Sequence, residues 1–192
     1  NSLPAGPLNF AKRVRRGLDF DVAYRTNVTD DITLNTRLIY SLQLQNSNFQ
    51  DPTNPTFENR LMGELGDPKN EFRWDVDLSF KDFTFGYQMR YIGPMVTNLY
   101  EDFFPLQDRA PQNADWADIM WFPSVTYHNA RFEWRVKGEG GLTRDTNEMT
   151  MFIGVNNIGD TQPPLGSTAT GAGSAIYSIR GRNFYAGFKA RF

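Results

Sequence analysis

FRWDVDLSFKDFTFGYQMRY, Phe72 to Tyr91, decides how the rest of the chain is read. Phe72, Trp74, Val76, Leu78 and Phe80 alternate with Arg73, Asp75, Asp77 and Ser79. After Lys81-Asp82, the set Phe83, Phe85, Tyr87, Met89 and Tyr91 alternates with Thr84, Gly86, Gln88 and Arg90. A period of two puts one set on each face of an extended chain, and two such runs joined by two polar residues make an antiparallel hairpin. The same rhythm extends outward in both directions. Upstream it runs through GLDFDVAYR (Gly17–Arg25) and ITLNTRLIYSLQLQ (Ile32–Gln45); downstream through HNARFEWRVK (His128–Lys137), MTMFIGVNN (Met149–Asn157) and the terminal strand to Phe192. The expectation is an all-β, antiparallel up-and-down meander of about seven strands.

The connections alternate as regularly as the residues. Val28–Asp31, Lys81-Asp82 and the glycine-rich KGEGGLTRDTNE (Lys137–Glu148) are short or compact, while the stretches 46–70, 93–121 and 158–176 run to about twenty residues or more. Short turns at one end and long loops at the other describe the wall of a transmembrane barrel. No apolar run approaches the roughly 18 residues a membrane helix needs. A mean hydropathy of −0.53 is what alternating strands average to. The 20 basic and 22 acidic side chains speak against a nucleic-acid partner, which favours a basic excess. With no cysteine, a disulfide framework and a Cys-based metal site are excluded. The opening NSLPAGPLNF has no signal-peptide pattern, and from its turn-rich character the expectation is a fragment of a longer chain.

Aromatic placement chooses what the apolar face meets. Phe80, Phe83, Trp134 and Phe192 fall near the short-turn ends of their strands; Phe72, Trp74, Tyr91 and Phe184 fall near the long-loop ends. Such belts match membrane-interface girdles, whereas the opposing face, with Arg37, Arg73, Asp75, Asp77, Arg90, Arg131, Glu133, Arg135 and Lys189, would line a lumen. The acidic pairs Asp19/Asp21 and Asp75/Asp77 have the chemistry to hold a divalent cation, but neutralisation by nearby arginines is the simpler role. No metal and no cofactor is expected.

The stretch FIGVNNIGDTQPP (Phe152–Pro164), followed by Ile179–Tyr185 and a terminal Phe192, resembles the end of TonB-dependent outer-membrane receptors. Gly154, Val155, Asn156, Asn157, Asp160, Pro163, Pro164, Gly181, Arg182, Phe184, Gly187 and Phe192 match the family pattern, while Gly159 stands where an aromatic is usual. RRGLDFDVAYR and RYIGPM also resemble family segments, so the likeness covers nearly the whole chain. It implies that residues 1–192 are the C-terminal third of a 22-stranded barrel, without plug and earlier strands, resident in the cell outer membrane as a multi-pass protein. It implies part of a transporter for energised uptake of a ferric siderophore, cobalamin or glycan, and no enzyme. The implied partners are outer-membrane lipid, the barrel-assembly machinery reading Phe184, Phe188 and Phe192, and the TonB complex through the missing plug.

Two further expectations concern contacts. Cargo would meet the loop aromatics Tyr100, Phe103, Phe104, Trp116 and Trp121, and lipopolysaccharide phosphates would meet Lys12 and Arg16, with Arg13 and Arg15 turned to the lumen. The rival reading is a soluble β-sandwich carbohydrate-binding module, motivated by Trp116 and Trp121. His128, the single histidine, falls on the apolar side of its strand without a serine in suitable context, so it reads as a packing residue rather than a catalytic base.

Overall fold

A computed structural model describes residues 12–50, 53–96, 121–137, 148–164 and 176–191. The elements are β1 (Lys12–Asn27), β2 (Ile32–Phe49), β3 (Asn59–Arg60), β4 (Asn70–Phe80), β5 (Phe83–Ile92), β6 (Met95–Val96), β7 (Trp121–Phe122), β8 (Val125–Lys137), β9 (Glu148–Asn156) and β10 (Asn183–Arg191). The seven long ones form one antiparallel sheet in the order β1-β2-β4-β5-β8-β9-β10, each beside its neighbours in sequence. The seven-stranded meander is therefore present, with β3 added against β2 and β6 paired with β7. The sheet is open, and β1 and β10 are its edges.

The registers align the alternating residues into rows. One row on the apolar face reads Ile32, Phe80, Phe83, Trp134, Met151, Phe188. Two rows along, it reads Leu34, Leu78, Phe85, Phe132, Ile153, Ala186. The upper row Tyr40, Phe72, Tyr91 stacks Phe72 on Tyr91 at 5.1 Å, and in the lower rows Phe83 stacks on Phe132 at 5.7 Å and on Trp134 at 6.0 Å. Aromatics also occupy the intervening rows, at Trp74, Tyr87, Phe85 and Phe132, so the belts are less cleanly separated than the sequence suggests.

The strands are staggered. Above the row through Ile32 and Phe188, β2 climbs to Phe49 and β4 to Asn70, whereas β9 and β10 stop at Asn156 and Asn183 and also run below it to Glu148 and Arg191. Over the described spans the strand centres thus step down from β1 to β10 by about 1.2 residues per strand on average, with the largest single step between β2 and β4. With ~3.3 Å per residue and ~4.8 Å between strands, this inclines the line of centres by roughly 40° to the rows. Closed transmembrane barrels tilt their strands by about 35–45°. The stagger also explains how Phe184 shares a row with Tyr87 yet is the second residue of its strand.

Both ends of the first hairpin differ from expectation. The basic segment from Lys12 is strand, and β2 continues to Phe49. Arg16 pairs with Gln45 but Gly17 with Gln43, leaving Leu44 as the extra residue of a β-bulge. A Cβ on Gly17 would stand 2.9 Å from the Leu42 carbonyl oxygen, so glycine permits the close approach. The bulge reverses alternation beyond it: Gln45, expected on the polar face, pairs with Arg16 on the apolar side, and Asn46 turns inward against Arg15.

Hydrophobic residues are buried in one place only among those described. Leu65, Ile92, Met95, Phe122, Val125, Tyr127, Ile176 and Tyr177 form a cluster at the long-loop end. Ile92, Val125 and Tyr127 stand at positions of the polar parity, so this cap sits over the polar face of β5 and β8. Leu65 N–H and Val96 N–H bond to Val96 and Gly63 carbonyls at 2.8 Å each, tying the loop after β3 to β6. No second sheet covers the large apolar face among the described residues.

Candidate functional site

The polar face is curved inward: a cavity of ≈ 420 Å³ is lined from β2, β4, β5, β8, β9 and β10 together. Its wall is a lattice of paired charges. Arg37 Nε and Nη2 donate to the two Asp21 carboxylate oxygens at 2.9 and 2.6 Å. Arg73 Nε reaches Asp75 Oδ2 at 2.9 Å, and Arg131 pairs with Glu133 at 3.1 Å. Asn129 Nδ2 donates to Gln88 Oε1 at 2.9 Å, and Gln88 Nε2 passes the chain on to Asp75 Oδ1 at 2.8 Å. The acidic pairs are thus separated in role. Asp21 and Asp75 are held by arginines, Asp19 accepts from Ser41 Oγ at 2.7 Å, and Asp77 lies over Gly86, where a Cβ would stand 2.9 Å from Oδ1. No group of three metal-ligating side chains occurs among the described residues.

The β9–β10 hairpin is built by two glycine–aromatic clasps. Gly154 pairs with Tyr185 and Gly187 with Phe152, and each ring lies across the space a glycine Cβ would take. An aromatic ring covering a cross-strand glycine restores packing and fixes register. Above the clasps, Asn157 is buried and has a left-handed backbone with φ 53°. Its Oδ1 accepts from Thr161 N at 2.8 Å, its Nδ2 donates to the Thr161 and Arg180 carbonyls at 2.9 and 3.3 Å, and its own N–H bonds to Asn129 Oδ1 at 2.8 Å. Asp160 Oδ1 accepts from Arg182 N at 2.7 Å. The Asn-Asn and Asp of that stretch therefore fasten the start of the loop to the start of β10. Gly159, the departure from the family pattern, is exposed in the turn between them.

At the other edge, Lys12 Nζ stands 5.6 Å from the centre of the Phe49 ring, while Arg13 bonds to Asn46 Oδ1 at 3.2 Å and Arg15 pairs with Asp67 at 3.4 Å. Phe184 and Phe188 lie on the apolar face of β10 at 74% and 75% exposure. Phe192, Tyr100, Phe103, Phe104 and Trp116 lie outside the described residues, and of Trp121 only the backbone, in β7, is described. His128 Nδ1 shares a hydrogen bond with Tyr87 Oη at 2.7 Å on the apolar face.

Two features escaped the sequence reading. The cap is one: Ile92, Val125 and Tyr127 occupy polar-parity positions, a signal that the alternation changes hands near the loops. Within it the Tyr177 hydroxyl has no hydrogen-bond partner among the described residues, and burial, then the nearby Tyr127, pushes its pKa up to about 12. The other is a second cavity of ≈ 270 Å³ below the cap. Comparison with family models, with curated proteins and with solved structures finds no match.

Proposed function

We propose that the chain is part of the wall of a TonB-dependent outer-membrane receptor, the C-terminal third of a 22-stranded barrel, serving uptake of a scarce bulky nutrient of the ferric siderophore, cobalamin or glycan class. The observation that carries this reading is the uncovered apolar face. Among the described residues twenty large hydrophobics are exposed, and all but Val28, Ile158 and Ile179 stand on strands. Scattered exposed hydrophobics are ordinary on a soluble surface, but a contiguous apolar face running across seven strands marks a surface that meets lipid or a partner. Lipid would cover that face, and no helix among the described residues is long and apolar enough to cross a membrane instead. The roughly 40° stagger, the inward-curved polar wall and the family-like terminal hairpin support the same reading. Open edges at β1 and β10 would be closed by the remaining strands.

In this reading the short turns face the periplasm and the long loops the exterior. The last strand with Phe184, Phe188 and Phe192 is what the assembly machinery reads, the plug carries the TonB contact, and no step is enzymatic. Lys12 and Arg16, on the apolar side of β1, reach lipopolysaccharide phosphate; Lys12→Gln with Arg16→Gln is expected to lower lipopolysaccharide co-purification, and an unchanged amount overturns that contact. Fractionation tests the whole. The native full-length protein is expected in the outer-membrane fraction, requiring detergent, with a cysteine at Lys81 shielded from impermeant label in intact cells. A freely soluble protein would point to the carbohydrate-binding alternative.

A further inference from the structure

The smaller cavity on the polar face differs in charge from its neighbour. Arg90 and Arg180 line it with the amides of Gln88, Asn129, Asn156 and Asn183, and among the described residues no carboxylate does; Asp75 and Asp77 line the larger one. Arg90 is only loosely held, by Glu71 at 3.8 Å from outside the lining. Among the described ion pairs none engages Arg180, which is exposed in the segment after Tyr177. The amides are pre-oriented by their neighbours. Asn129 Nδ2 gives one hydrogen to Gln88, and Asn156 Nδ2 gives one to Asn183 Oδ1 at 3.0 Å, leaving each a second N–H. The segment carrying Arg180 is pinned from both sides, by Asn157 Nδ2 on its carbonyl and by Ser178 N on the Tyr127 hydroxyl at 3.2 Å.

We propose that this cavity binds an oxyanion group, a carboxylate or a phosphate, gripped by the Arg90 and Arg180 guanidinium groups with the free amide N–H of Asn129 and Asn156 on adjacent oxygens. A guanidinium fork matches both anions in geometry, and charge-assisted bonds are about twice as strong as neutral ones. The apolar cap removes water from one side of the cavity, which strengthens the attraction over its value in bulk solvent. At ≈ 270 Å³ the space takes one anionic head group rather than a whole bulky cargo. The inference deepens the uptake reading by naming a cargo chemistry, but its test needs neither a membrane nor transport.

The test is titration calorimetry on the native full-length protein in detergent, with citrate, inorganic phosphate and, as the uncharged control, maltotriose. At least one anion is expected to bind saturably and to weaken with added salt. Arg180→Gln is expected to weaken it about tenfold or more, as loss of a charge-assisted contact does, and Arg180→Lys to recover part of the loss. Because Arg180 is exposed, the variants keep the fold, which circular dichroism checks. Binding of citrate alone names a carboxylate ligand, and of phosphate alone a phosphate ligand; either supports the site. Absence of binding to both, equal binding of maltotriose, or wild-type affinity in both Arg180→Gln and Arg90→Gln overturns it. A soluble protein that still binds anion would sink the membrane reading and leave this site standing.

Discussion

The cap at the long-loop end and the apolar face of the sheet use hydrophobic residues in opposite ways. In the cap, Ile92 and Met95 are fully buried in a cluster with Leu65, Phe122 and Tyr177, side chains brought from three other segments. On the face, Phe85, Trp134 and Ile153 are 48%, 42% and 57% exposed. The first arrangement is a protein core; the second is an apolar surface that no described residue covers. The difference teaches that alternation alone does not say where a strand buries its apolar side. β5 and β8 carry both arrangements, on opposite faces, within one strand each.

Substitutions can break this comparison. Ile92→Ala removes a fully buried side chain, and about 2–5 kcal/mol of stability should go with it, read as a lower unfolding midpoint in detergent. If the cap were as dispensable as the face, the midpoint would not move. Phe85→Arg tests the face: lipid exposure predicts a penalty of about 2–4 kcal/mol and a lower yield of folded outer-membrane protein. Improved solubility without detergent would show instead that water covers that face.

Smaller effects sharpen the account of the terminal hairpin and the rim. Gly154→Ala drives a methyl into the Tyr185 ring, and overpacking of this kind is worth about 1–3 kcal/mol. Tyr185→Ala should relieve most of that penalty in the double variant, and strict additivity would show that the clasp does not exist. At the rim, the Ser47 hydroxyl donates to Glu58 at 2.6 Å, and this bond, with Arg60 at 3.7 Å assisting and desolvation opposing, holds the Glu58 carboxyl below its ordinary pKa. A depressed folded-state pKa contributes stability above the unfolded value and loses it as pH falls through the folded one. Glu58→Gln should therefore flatten, slightly, the loss of stability on acidification. An unaltered pH profile would remove Glu58 from the account.

Much of this was legible from residue order. The seven long strands and their antiparallel sequence follow from period two and short polar turns, because a pleated chain can segregate its side chains in only one way. Facing was legible for the same reason, as far as Leu42. Beyond it the bulge at Leu44 turned Gln45 over, and nothing in LQLQNSNF marks an unpaired residue, since a bulge is set by how two strands twist together. The Asn157 clip was visible as a motif but not as a mechanism: its partners Asn129 and Arg180 are 28 and 23 residues away along the chain.

By itself, then, the order of residues determined the meander, the antiparallel pairing of neighbouring strands and, away from the bulge and the cap, the polar and apolar faces, all of which are local or nearest-neighbour properties of extended chain. Only the tertiary structure decided the stagger of about 40°, the cap and the carboxylate-free cavity beneath it. Stagger is a sum of registers over the whole sheet. The cap and cavity gather Leu65, Arg90, Tyr127, Asn156 and Arg180 from segments whose separation in sequence says nothing of their distance in space.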